Sequence, residues 1–233
     1  MTKQAPVLYI CSIQVQQLDL EFYEWGGRRD GAGRPRAIGR DNVPHRRRER
    51  HRKAHPVHVT LRARSGLPPF RGQSIAREMR RRIAEANASE RLRDVFRVVH
   101  FSVQDNHVHM IVEAADARAL ARGVQGLAIR LARRVNALLG IRGGFWGERF
   151  HSRELAHPRS VRNALVYVLM NAKKHGFDFD VDPCSSAPWF DGFVAHAPRD
   201  GPSPTRLPET WLGAVGWRRR GLVRLDERPR MPA

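Results

Sequence analysis

The stretch VFRVVHFSVQDNHVHMIVE, residues 95–113, reads as two strands and the turn between them. Val95 to Val103 and His107 to Glu113 are dense in β-branched and aromatic residues, which suit a pleated, half-buried surface. Asp105-Asn106 supplies the short polar side chains that favour a tight turn, so the two runs are expected to pair as a hairpin. Upstream, Val57, Val59 and Leu61 alternate with His58, Thr60 and Arg62 in the period of a half-buried strand. Between these strands, Ile75, Met79, Ile83 and Ala86 recur at helical spacing, with Arg77, Arg80, Arg81 and Arg82 around the remaining circumference.

Downstream, Asp116 is placed to cap a long helix whose apolar face is Leu120, Val124, Leu127, Leu131, Val135 and Leu138, ended by Gly140. Phe150 to Leu155 form a further short strand. Pro158 opens a last helix, predicted from Arg159 to His175 and stopped by Gly176. The order strand, helix, strand, strand, helix, strand, helix belongs to the α+β class. Its simplest form is a ferredoxin-like antiparallel sheet with helices packed on one face.

The chain has 233 residues with 42 Lys+Arg against 23 Asp+Glu, a formal charge of +19 and a pI near 11.5. This excludes an acidic or charge-balanced protein and makes nucleic acid the leading partner, because cations that neutralise phosphates release condensed counterions. Arg28 to Lys53 holds eleven basic residues against three acidic ones, without apolar periodicity. Residues 1–55 are therefore expected to be a basic, largely disordered extension. Residues 56–176 are expected to form the folded domain, and residues 177–233, rich in Pro and Trp, to pack back on it. No apolar run approaches the ~20 residues a membrane span needs. Two cysteines, Cys11 and Cys184, are too few for a disulfide framework or zinc ribbon, so no membrane association and a cytoplasmic location are expected.

Two features carry chemistry. In His107-Val108-His109, residues i and i+2 of a strand leave the same face, so both imidazoles converge on one point where a metal can bind. A chain with 11 histidines also yields such a pair by chance. Tyr167 and Asn171 lie one helical turn apart, on the side opposite Val161, Leu165, Val168 and Ala172. A tyrosine that merely covers surface would sit in the same place. Taken together, the parts fit a tyrosine that attacks a phosphodiester held by one divalent metal on His107, His109 and an amide oxygen. A free phenol titrates near ~10, so the cation, Lys173 or Lys174 and the basic surroundings would have to favour phenolate.

Four blocks in order are more specific than either feature. They are His58-Val59-Thr60-Leu61-Arg62; Asp105-Asn106-His107-Val108-His109-Met110-Ile111-Val112-Glu113; Phe145-Trp146-Gly147-Glu148-Arg149-Phe150; and Tyr167-Val168-Leu169-Met170-Asn171 with Lys174-His175-Gly176. Over about residues 56–176 they resemble the single-tyrosine HUH transposases, most closely the REP-associated tyrosine transposase branch. The resemblance implies a single-stranded DNA endonuclease and strand transferase acting at DNA hairpins. It implies Tyr167 as nucleophile forming a 5′-phosphotyrosine link, His107 and His109 binding Mg²⁺ or Mn²⁺, Asn171 as a polar third ligand, and a monomer or homodimer.

Many relatives have Pro after this asparagine; here Ala172 follows, which lets the helix continue through Lys174. DNA contacts are expected from Arg46, Arg47 and Arg48 in the arm, Arg62, Arg130 and Arg134, Trp146 and Arg149, and Lys173 and Lys174. For Trp146 a core-filling role is equally consistent with the sequence. A relaxase or replication-initiator-like nicking enzyme, and a non-catalytic or domesticated DNA- or RNA-binding protein with the same fold, are the alternatives.

Overall fold

The computed structural model describes residues 51–177 and 179–229. The arm arginines Arg46, Arg47 and Arg48 lie outside the described residues.

Four strands form one antiparallel sheet: β1 (Val57–Arg62), β2 (Phe96–Val103), β3 (His107–Ala114) and β4 (His151–Glu154). Their order is β2-β3-β1-β4. With α1 (Gln73–Ala88) between β1 and β2, and α2 (Ala117–Leu139) between β3 and β4, this is the ferredoxin-like topology. The expected hairpin is β2–β3, running from Phe96 opposite Ala114 to Val103 opposite Val108. A register shift between Val98 and His100 resets the alternation, so Phe96, Val98, Phe101 and Val103 all join one core.

The phase of β1 decides the layers. Val57, Val59 and Leu61 are buried with Met79 and Ile83 of α1 and Leu127 and Leu131 of α2. Gly123 lets α2 approach β2, because a Cβ there would stand 2.3 Å from the Phe96 ring. Asp116 accepts a 2.7 Å hydrogen bond from the Ala119 N–H at the start of α2, and Gly140 closes it at φ 65°. Leu138, expected on the apolar face, is 49% exposed in the final turn.

The α+β antiparallel architecture holds, with one correction: the helices do not all share one face. α3 (Pro158–Leu169) crosses the opposite side, where Leu165 and Val168 pack with Ile111 and Trp217. A second correction concerns its end. The helix breaks at Met170 (φ −104°, ψ 12°) before a single turn, α4 (Asn171–Lys174). The Asn171 side chain donates to the Tyr167 carbonyl at 3.1 Å, a local bond that competes with the helical ladder.

The residues after α4 run along the free edge of β2. The Val103 N–H donates to the Cys184 carbonyl and the Ser186 N–H to the Phe101 carbonyl, both at 2.9 Å, which covers an otherwise open strand edge. Farther on, buried Glu113 accepts from the Glu209 and Thr210 N–H groups and the Thr210 hydroxyl. Trp217 is 2% exposed beneath α3. Order also extends upstream of Pro56: the His51 ring meets the Ala114 carbonyl at 2.8 Å, and His55 lies 3.2 Å from Glu154. Among the described residues no helix is long and apolar enough to cross a membrane.

Candidate active site

Residues directly opposite one another in an antiparallel ladder leave the same face, so the register places the site. Thr60 pairs with both His109 and His151, His58 with both Ile111 and Arg153, and Arg62 with His107. These side chains occupy the face crossed by α3, and Tyr167 on α3 closes over them. Its ring centroid lies 5.0 Å from that of His109 and 5.6 Å from that of His58, edge-on to both.

One hydrogen bond fixes the tautomer of His107. Asn106 Oδ1 stands 2.7 Å from His107 Nδ1 and can only accept, so Nδ1 carries the proton and Nε2 a lone pair. His109 Nδ1 has Thr60 Oγ1 at 3.1 Å and His58 Nε2 at 3.2 Å. The two Nε2 atoms face each other at 2.9 Å. With its proton on Nε2, His109 donates to His107 Nε2 and its Nδ1 accepts from Thr60; with the proton on Nδ1, its Nε2 is a second lone pair available to a cation.

Burial keeps these rings neutral. It pushes His109 down to about 2, helped by His58, His107 and Lys174. His107 falls to about 4 through burial, then His175, Arg62 and Lys174. His58 falls to about 4 through burial, then Arg153.

This arrangement fits a hard divalent cation. Ligands about 2.1 Å from an octahedral ion stand about 3.0 Å apart along an edge, close to the 2.9 Å between the two nitrogens. Asn171 is fully buried, and its Oδ1 has no hydrogen-bond partner. His58 meets the far nitrogen of His109, so it orients that ring. Among the described residues no group of three or more His, Cys, Asp or Glu side chains is placed to hold a metal; the donors that face each other are the two imidazole Nε2 atoms.

The structure thus brings His107, His109, Tyr167 and Lys174 together, with Asn171 one turn beyond the tyrosine. The Lys174 Nζ lies 5.5 Å from the Tyr167 ring centroid. Arg62 is exposed opposite His107, and Arg149 is exposed after α2. Other residues are engaged elsewhere. Lys173 donates to the Leu225 carbonyl. Trp146 donates its indole N–H to the Ala128 carbonyl at 2.9 Å and stands edge-on to Phe70 and Phe145. Arg130 and Arg134 are exposed on α2, across the sheet from Tyr167, and Arg134 contacts Glu78 at 3.2 Å.

Sequence reasoning did not single out Thr60, Arg153 or Arg159. They line, with His109 and Tyr167, a cleft of about 900 Å³ between the sheet and α3. The shared phase of Thr60 and His58 was the available signal.

Fold and site define a class: a ferredoxin-like α+β domain whose open sheet face carries a histidine pair beneath a tyrosine borne on a helix. Residues 56–168 match the family described as IS200-like transposases. A solved structure described as the REP-associated tyrosine transposase bound to a REP hairpin is similar at 18% identity and a TM-score of 0.45, covering 58% of this chain and 76% of that one. No curated protein matches.

Proposed function

We propose that the protein is a metal-dependent, single-stranded DNA endonuclease and strand transferase acting at DNA hairpins, with Tyr167 as nucleophile. The observation that carries this reading is the pair of imidazole Nε2 atoms 2.9 Å apart with the tyrosine ring 5.0 Å from His109. The match of residues 56–168 to IS200-like transposases and the formal charge of +19 support DNA as the substrate. His107 and His109, with Asn171 as third donor, would hold Mg²⁺ or Mn²⁺. The bound ion would supply positive charge to polarise a phosphate oxygen and favour phenolate.

The remaining chemistry belongs to the chain. The Tyr167 hydroxyl loses its proton to solvent, and its oxygen bonds to phosphorus. The bond from phosphorus to the 3′-oxygen breaks, and that oxygen takes up a proton to leave as a 3′-hydroxyl. The product is a 5′-phosphotyrosine ester, which keeps the bond energy available for rejoining to another 3′-hydroxyl. Lys174 beside the ring contributes positive charge near the developing phenolate.

The test is incubation with labelled single-stranded hairpin DNA and Mg²⁺ or Mn²⁺, followed by denaturing electrophoresis. A protein–DNA adduct that Tyr167→Phe abolishes, while DNA affinity stays within about twofold, is expected. Binding without adduct across metals and substrates would instead identify a non-catalytic DNA-binding protein.

A further inference from the structure

The cleft beside Tyr167 is lined by three arginines, Arg153, Arg159 and Arg228, as well as by His109 and Tyr167. Arg153 pairs with His58 in the ladder, so its side chain leaves the face that carries the histidines. Arg159 lies in the first turn of α3, where the helix dipole adds to its charge. All three arginines are exposed, and among the described residues none makes an ion pair.

Arg162, in the same cleft, behaves differently. Both carboxylate oxygens of Glu227 hold its guanidinium, at 2.7 and 2.9 Å, and it also donates to the Gly221 and Leu222 carbonyls. Its charge is neutralised within the fold. The charge of the other three is left for a partner.

We infer that this cleft is the track of a single DNA strand leading to Tyr167, with Arg153, Arg159 and Arg228 gripping its phosphates. The strand's destination rests on the reading of Tyr167 as nucleophile; the grip on phosphate does not. His109, on the cleft wall, is 4% exposed, so a polymer must bend and thread to present a phosphate there. A single strand does this and a stiff duplex does not. The grip is independent of base identity, because guanidinium–phosphate contacts position a strand without reading it. The arginines of α2 lie across the sheet and cannot touch the same segment of strand.

The test uses the full chain and a fluorescein-labelled thymidine 15-mer, with affinity measured by anisotropy over a range of salt. Each phosphate contact on a single strand contributes about 0.7 to the slope of log K against log salt. The variant Arg153→Gln/Arg159→Gln/Arg228→Gln is expected to lower that slope by about 2 and affinity at low salt by at least tenfold. The charge-matched control Arg77→Gln/Arg81→Gln/Arg91→Gln, on α1 and the turn after it, is expected to leave the slope unchanged. An unchanged slope in the cleft variant, or equal losses in both, overturns the inference.

Cross-linking with a 5-iodouridine-substituted strand gives a second readout in the unmutated protein. Recovery of peptides from residues 151–169 supports the track; recovery from α2 alone overturns it. The nuclease reading fails separately: a cleft-dependent slope with no covalent adduct keeps the track and removes the nucleophile. Normal adduct formation and slope in the cleft variant does the reverse.

Discussion

His58 Nε2 stands 3.2 Å from His109 Nδ1, although 51 positions separate the two residues in the chain. The contact exists because β1 lies between β3 and β4, so His58 sits one step along the ladder from Thr60, the partner of His109. With Thr60 it can accept from His109 Nδ1, which leaves Nε2 free for a cation. Such outer partners typically change metal affinity ~10–100-fold. His58→Ala is therefore expected to weaken Mn²⁺ binding within that range by calorimetry, while His58→Gln, whose amide oxygen can accept from His109 Nδ1, recovers much of the loss. Equal Mn²⁺ affinity in wild type and His58→Ala would show that the contact has no orienting role.

The same burial makes the fold acid-sensitive. His58 and His100 are pushed down to about 4 and His109 to about 2, chiefly by burial. In the unfolded chain each titrates near ~6.5. Below that value the unfolded state binds more protons than the folded one, so stability falls as pH falls and continues to fall until the folded-state values are reached. From pH 7 to pH 5 the loss is about 2 kcal/mol for each independent buried histidine. Urea unfolding at the two pH values measures it; equal midpoints would contradict neutral burial.

Much of this architecture is legible from residue pattern. The β2–β3 hairpin announces itself through two β-rich runs around Asp105-Asn106, and α1 through Ile75, Met79, Ile83 and Ala86, all buried. His107, His109 and Tyr167 are legible because strand and helix periods fix which side each residue takes. The placement of α3 is not legible in that way. On its face of β1 stand His58 and Thr60, polar residues that read as a solvated surface, yet they pack around His109 under a helix. The break at Met170 was also hidden, because it depends on Asn171 bonding back to the Tyr167 carbonyl, while Ala172 in place of proline favours continuation. Arg153 and Arg159 were lost among many arginines, since only the β1–β4 register and the start of α3 distinguish them.

Trp146 shows how an aromatic suited to stacking on a base can be occupied otherwise. Its indole N–H bonds to α2 at the Ala128 carbonyl, and its ring meets Phe70 and Phe145. Truncation removes packing and a hydrogen bond together. Trp146→Ala should lower stability by about 3 kcal/mol in urea unfolding, with single-strand affinity at 20 °C unchanged within about twofold. A loss of DNA affinity without a change in the unfolding midpoint would return Trp146 to the DNA-binding surface.

Asn171 is where stability and activity pull apart. Its side chain is buried, Nδ2 donates to the Tyr167 carbonyl, and Oδ1 has no partner. A buried acceptor left unpaired costs about 1–3 kcal/mol, a penalty that a cation ligated by that oxygen would remove. Asn171→Leu keeps the volume and discards the orphaned oxygen, at the loss of the Nδ2 bond. Without metal, its melting temperature should therefore match or exceed that of the wild type. Added Mn²⁺ should raise the wild-type melting temperature by several degrees, as binding to the folded state alone requires, and raise that of Asn171→Leu much less. If Mn²⁺ stabilises both proteins equally, the amide oxygen is not a ligand. If Asn171→Leu is strongly destabilised without metal, Nδ2 rather than Oδ1 is the reason this position is asparagine.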